Sequence, residues 1–492
     1  MSIRDEESLL SDGKNIQNSK LFNILIYLSV FIAGAAFILK FQSVVFRVLS
    51  PVQVQQEEAV NVEFGRILAS GRALYPDIRE GGPYIHCSYP PLFPFLESRF
   101  LKLTSNPWLP GRLLALTGYW GCGFLMVLAG WKRWKLNFWI VLLPLFLWLS
   151  PTWASWGSMA RLDTLLLFFN LSAFFTLLRN TEHEGEKVNA CFWIVPGFLN
   201  AAAILMKPTA LTLTFSLSLW AIRKRQWKGL SFFLLGALGP VLVFFAVFQR
   251  QTNGMYWLHT IRWAAVGFSV ERFLYFFLHG FLKETGWLVA LVFITLAFKK
   301  TPLILRLQLL FSFLSLWTLC RDGSAENYYM EFILYGLLLA GEGWAKKDGG
   351  TPETAGNFWA SNISGILVLT GAVSFFMFPG PPMPSNDEIK MKESVLSIYR
   401  QGEIHLALDN DLPLMAGKPV WYQASGIISI AQSGEWNPAP LLRDIQNHKF
   451  TTIEFYDIPH QYLYPPGVEQ AVMKNYRIQW KAYGRVWYVP KM

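Results

Sequence analysis

Four cysteines in 492 residues is a small number, and Cys87, Cys122, Cys191 and Cys320 show no metal-ligand spacing. The last three lie in or beside apolar runs, which argues against a disulfide framework and against a zinc site. A phosphate-cradling loop is also missing. Gly417, Gly426 and Gly434 are isolated glycines, so nothing supports a soluble nucleotide-sugar site. The polar start MSIRDEESLLSDGKNIQNSK has neither the basic beginning nor the small-residue cleavage site of a signal peptide. The first apolar run is therefore expected to stay as an anchor. No internal repeat is visible, and ionisable residues are sparse in the middle of the apolar blocks. Both absences argue against a secondary transporter.

What the chain has in abundance is apolar surface. Hydrophobic residues make up 53% of it and aromatic residues 16%, too much for a soluble enzyme. They come in blocks of roughly 15 to 25 residues. The net charge of +10 does not point to nucleic acid, because the basic residues cluster directly after apolar blocks: Lys132-Arg133-Trp134-Lys135, Arg223-Lys224-Arg225, Lys299-Lys300 and Lys346-Lys347. That is the pattern of cytoplasmic loops. Membrane helices are expected near 21–40, 112–131, 136–153, 160–178, 190–206, 208–222, 229–248, 284–298, 302–320, 327–343 and 358–378, about eleven crossings of the usual length. Of these, 208–222 and 284–298 are short for a span. The predicted fold is a mostly α, polytopic helical bundle. Residues 1–20 form a cytoplasmic N-terminus, 21–378 the membrane domain, and 379–492 a soluble α/β domain that begins at the proline-rich exit PGPPMPSNDEIKMKES. Candidate strands in that domain are 404–409, 451–457 and 485–490, with a helix at 441–448. The charge bias places 41–111, 249–283 and the tail outside.

The first outer segment carries the most chemistry, reading QQEEAVNVEFGRILASGRALYPDI and then YIHCSYPPLFPFLES. Val60, Val62, Phe64, Ile67 and Leu68 repeat at roughly helical spacing, so a helix lying on the bilayer surface is expected, with Glu57 and Glu58 at its start. Charges near apolar runs are costly and call for a reason. Besides the acidic pair they gather at three places: Arg161 and Asp163 in ARLDT, Lys207 before Pro208 in MKPTAL, and Arg321, Asp322, Glu326 and Glu331 around DGSAENYYMEF. By the helix count all face one side of the membrane, as a reaction on a charged, lipid-linked substrate requires. Each also has a plainer reading. Interfacial Glu and Lys snorkel to water, Arg161 and Asp163 pair structurally, and Tyr328 and Tyr329 form an aromatic belt.

The order of acidic pair, helix, Ala-Ser-Gly, Leu-Tyr-Pro-Asp and Tyr-Pro-Pro-Leu, followed by ARLDT, MKPTAL and ENYYMEF, resembles the GT-C membrane glycosyltransferases. The resemblance is to the branch of protein O-mannosyltransferases and lipid A aminoarabinose transferases, and to its uncharacterised bacterial members. It covers most of the membrane region, and that branch usually carries Asp-Glu where this chain has Glu57-Glu58. The resemblance implies a transferase in a bacterial plasma membrane that takes a sugar from a polyprenyl-phosphate donor on the extracytoplasmic face. The acceptor it implies is a hydroxyl of a glycan, lipid or protein. Glu57 is then the expected base, with Glu58 as the alternative. Asp163 is expected to position the acceptor or help hold a divalent cation. Arg161, Lys207 and Arg321 are expected on the donor phosphate. His86, Tyr89, Arg112, Glu326, Tyr328 and Glu331 are further candidates for substrate binding. A flippase for polyprenyl-linked glycans and a non-catalytic membrane scaffold remain the alternatives.

Overall fold

The computed structural model describes residues 3–55, 57–134, 138–181, 190–344, 355–378, 380–457 and 463–491. The basic residues Lys135, Lys346 and Lys347 lie outside them. Among the described residues, six helices are long and apolar enough to cross a membrane: Leu21–Leu49, Leu109–Trp131, Trp227–Gln251, Val270–Phe298, Leu303–Cys320 and Trp359–Met377. A seventh span results if Trp139–Leu149 and Pro151–Gly157, which meet at 67°, are taken together. The chain is a multi-pass membrane protein built as a helical bundle. Length and composition alone identify six or seven of the eleven expected crossings. The remaining apolar segments are helical but short, such as Ile194–Ile204 and Leu211–Arg223, or wholly buried among other helices, as is Tyr329–Trp344.

One expected outer segment is shorter than its charges imply. The helix expected at 284 begins at Val270, where Ser269 caps it by accepting from the Arg272 amide at 3.2 Å, and it runs through a π-helical stretch at Phe276–Phe281. Glu271, Arg272, Lys283 and Glu284 interrupt the apolar run and hide it. Glu284 is satisfied inside the protein by the hydroxyls of Ser150 at 2.6 Å and Thr152 at 2.5 Å. Close backbone approach orders the bundle: a Cβ on Gly118 would lie 2.3 Å from the Leu165 amide nitrogen, so the helices Leu109–Trp134 and Asp163–Thr181 touch there.

The helix Glu58–Ala69 is enclosed by protein on most of its sides. Ala59 and Val62 pack with Trp108, Ala160 and Leu414, while Val60, Phe64 and Ile67 pack on another side with Tyr75, Ile85 and Val420. An apolar stripe that wraps this far around a helix needs protein on both sides. The tail supplies part of that cover. Its sheet has the order β1-β2-β4-β3, with β1 (His405–Leu406) parallel to β2 (Thr452–Tyr456), and β4 (Arg485–Pro490) antiparallel to both β2 and β3 (Tyr476–Ala482). Strand β3 was not expected. It is an edge strand whose residues after Tyr476 are mostly exposed, so it carries no burial pattern to read. The expected 404–409 strand shrinks to two residues, and the expected helix at 441–448 is Ala439–Gln446. The tail core takes in Ile78, Tyr84 and Trp263 from the outer segments. Tyr84 also pairs with the tail backbone, donating to Trp421 O at 2.8 Å and accepting from Gln423 N at 3.0 Å.

A single buried ion pair ties these parts together. Arg112 and Glu58 are fully buried, with Nε donating to Oε1 and Nη2 to Oε2, each at 2.9 Å. The same guanidinium donates to the carbonyls of Ser50 and Val52 at 2.7 Å, and Glu58 accepts the amides of Val54 at 2.7 Å and Ala160 at 2.6 Å. Removing one partner leaves an uncompensated buried charge, so Glu58→Gln and Arg112→Ala are each expected to destabilise the fold by about 3–5 kcal/mol. Thermal unfolding in detergent checks this, and the double variant Glu58→Gln/Arg112→Ala should lose less than the sum of the two.

Candidate active site

Outer turns and the tail meet over a cleft whose wall includes Glu57, His86, Tyr89, Arg161, Arg321 and Tyr328. Glu57 sits at the N-cap of the Glu58–Ala69 helix, one residue from the buried latch, and is half-buried. Its Oε2 accepts from Gln423 Nε2 at 2.9 Å and its Oε1 accepts from the Ser425 hydroxyl, so both partners come from the tail. Arg161 projects from the turn before the Asp163–Thr181 helix. Its guanidinium lies 4.8 Å from the Trp156 ring centroid, and Nη2 donates to the Tyr89 hydroxyl at 3.0 Å. Its Nε is buried with no hydrogen-bond partner, as is the Nε of Arg321. Arg321 is fixed by a β-bridge to Phe268. The cleft therefore offers a carboxylate on one wall and two guanidiniums with unused donors on others.

Behind Arg161 lies a second polar layer. Lys207 is held in extended backbone just before Pro208, and its Nζ donates to Asp163 Oδ1 at 2.9 Å while sitting 4.1 Å from the Tyr328 ring centroid. Asn327 donates to the same oxygen at 2.7 Å, and Arg161 Nε is 3.7 Å from Asp163 Oδ2. Two cations and an amide around one carboxylate do not suit a divalent cation. Among the described residues no group of three or more His, Cys, Asp or Glu side chains gathers. His86 donates its amide to Gln423 Oε1 at 2.8 Å, and its Nε2 is 2.8 Å from the His259 carbonyl. Burial pushes the His86 imidazole down to about 4, so it stays neutral near pH 7.

The structure thus brings together Glu57, His86, Tyr89, Arg161, Arg321 and Tyr328, with Asp163 and Lys207 directly behind. It places others elsewhere. Glu58 and Arg112 form the latch. Glu331 is buried in the bundle, accepting from Thr212 at 2.6 Å and Gln308 at 2.9 Å, and Glu326 is exposed outside the cleft lining. Tyr328 and Tyr329 form no surface belt. Both are buried, and the Tyr329 hydroxyl donates to Phe276 O at 2.7 Å. Sequence reasoning missed Asn327, although it sits inside ENYYMEF, and Trp156, which heads WGSMARLDT. It had no means of finding Gln423 and Ser425, which lie 366 and 368 positions from Glu57.

No protein-family model matches this chain, and no curated protein matches it in sequence. Its structure is similar to that of ArnT from Cupriavidus metallidurans. Against ArnT bound to undecaprenyl phosphate the TM-score is 0.60 at 13% identity, covering 93% of this chain and 97% of that one. Against ArnT in the apo state the TM-score is 0.63 at 13% identity, covering 92% and 96%. An Archaeoglobus fulgidus oligosaccharyltransferase tethered with an acceptor peptide aligns at a TM-score of 0.47 and 12% identity, over 96% of this chain and 74% of that one. From the bundle, the outer segments and the closing α/β tail, all aligned along nearly the whole of ArnT, the chain shares the fold of ArnT, a GT-C-like fold.

Proposed function

We propose that this chain is an integral membrane glycosyltransferase that moves a sugar from a polyprenyl-phosphate donor to an acceptor hydroxyl at the extracytoplasmic face. The observation that carries the reading is the cleft itself, where a half-buried carboxylate, Glu57, shares a cavity with Arg161 and Arg321, whose buried Nε atoms have no hydrogen-bond partner. A structure of the same fold is described as bound to undecaprenyl phosphate, a ligand of this donor class. Phosphate oxygens satisfy guanidinium donors in the plane of the fork. In the reaction the acceptor oxygen attacks the anomeric carbon, and the bond from that carbon to the phosphate oxygen breaks. Glu57 takes the hydroxyl proton, and the lipid phosphate leaves with the bonding pair, held by Arg161 and Arg321. A single displacement inverts the anomeric centre.

Asp163 and Lys207 act on Arg161 from behind. The Lys207 charge offsets Asp163, so Arg161 keeps its positive charge for the donor. In this reading the N-terminus is cytoplasmic and the cleft opens on the opposite side, away from Arg223-Lys224-Arg225 and Lys299-Lys300.

The test is turnover of a panel of polyprenyl-phosphate sugars by the protein in lipid. Glu57→Gln should retain the folded state and lose about 100-fold or more in turnover. Near-normal turnover would remove Glu57 as the base. Lys207→Ala should weaken donor binding by about 10-fold, because Asp163 then competes for Arg161. Donor affinity equal to wild type would take Lys207 out of the site. For orientation, Ser433→Cys, at an exposed position in the tail, should react with a membrane-impermeant maleimide from outside intact cells. Labelling only from the cytoplasmic side would invert the topology.

A further inference from the structure

Two carboxylates on the cleft wall are built alike. Glu57 has one oxygen fixed by a nitrogen donor, Gln423 Nε2, and the other capped only by the Ser425 hydroxyl. Asp322 repeats this arrangement: its Oδ1 is paired with Arg272 Nη2 at 2.5 Å and accepts the Gly323 amide at 3.2 Å, while its Oδ2 is capped only by the Ser429 hydroxyl. Both serines sit on the tail helix Ala424–Gln432, four residues apart, which places them on one face about one helical turn from each other. The opposite face of that helix, with Ile427 and Ile430, belongs to the tail core and cannot turn. Gly426 lies between the serines, where a Cβ would come within 3.1 Å of His86 Cβ, so the helix backbone closes directly onto the cleft.

The backbone of Asp322 is also bonded. Its amide donates to Gly267 O at 2.7 Å, and Gly267 has a φ of +71° at a place where a Cβ would come within 2.5 Å of Asp322 Cβ. Asp322 Oδ2 has the Ser429 hydroxyl as its side-chain partner, a group that another hydroxyl can replace.

Resting on the transferase reading above, we propose that the space between the Ala424–Gln432 helix and Asp322 is the acceptor subsite, and that the acceptor is a polyol. One acceptor hydroxyl displaces Ser425 from Glu57 and is the one activated. A second displaces Ser429 from Asp322 and sets the orientation. Two hydroxyls a helical turn apart match opposite sides of one sugar ring. A peptide serine or threonine presents one hydroxyl and leaves Asp322 unused. The acceptor class is therefore the sugar portion of a glycan or glycolipid, with Asp322 as a specificity-determining residue.

The experiment compares methyl hexopyranosides with capped serine and threonine peptides as acceptors, using wild type, Asp322→Asn and Ser429→Ala. Wild type should transfer to at least one glycoside about 10-fold or more better, in kcat/KM, than to the peptides, since a site built to bind a hydroxyl discriminates against acceptors lacking it. Asp322→Asn should raise the glycoside KM about 10-fold with little change in kcat, in donor affinity or in the slow peptide reaction. Ser429→Ala, which removes the competing hydroxyl, should lower the glycoside KM, and Ser429→Thr should restore it. Preferred transfer to peptides, or an unchanged glycoside KM in Asp322→Asn with normal donor turnover, overturns the subsite and leaves the transferase reading standing. If wild type turns over no donor, that reading falls, and hydrogen exchange decides the subsite alone. The glycosides must then alter exchange in Ala424–Gln432 in wild type and not in Asp322→Asn, and no change disposes of it.

Discussion

The Glu58–Arg112 pair is the constraint on which the rest of the molecule depends. Its guanidinium gathers the carbonyls that follow the first membrane helix, and its carboxylate gathers the amides of the outer segment and of the turn ahead of Asp163. A bond between two side chains thus sets the relative positions of the first helix, the Leu109–Trp134 helix, the Glu58–Ala69 helix and the Arg161 turn. Neither partner has donors or acceptors left for a substrate. The adjacent acid inherits a fixed position without sharing that saturation. Two neighbouring glutamates of identical chemistry are separated by burial: one is fully enclosed and multiply bonded, and the other is half-open with only tail groups on its oxygens.

Electrostatics divides the remaining charges in the same way. Asp163 is the hub of a buried set in which Lys207, Arg161 and Asn327 converge, and such a cluster is tolerable in a low-dielectric setting only because nearly every member is paired. Arg161 Nε and Asp163 Oδ2 face each other at 3.7 Å without a hydrogen bond, and outside this set the buried Nε of Arg321 also lacks one. Unsatisfied donors beside a cavity are expensive for a protein alone and inexpensive for a protein that binds an anion there.

Much of this was legible in the chain. The apolar blocks, the α/β tail, and the nearness of Arg161, Lys207 and Arg321 to Glu57 follow from cost: charges kept beside apolar runs have to serve a purpose. Three things were not legible. The role of Glu58 depends on Arg112, which reads as one more interfacial arginine. The Val270 helix start is masked because buried carboxylates such as Glu284 look like loop residues until their hydroxyl partners are known. The helix after Glu57 has the periodicity of a surface helix, and only the tail packed over it shows why its apolar stripe is so wide.

The partners of Glu57 lie 366 and 368 positions further along the chain, in a helix whose inner face belongs to the core of the tail. Insertion of the bundle therefore cannot complete the cleft. Without the tail, Glu57 lacks both of its side-chain partners and the cleft lacks one wall. The bundle and the walls of the cleft therefore depend on different stretches of chain, and a late segment closes over an early one.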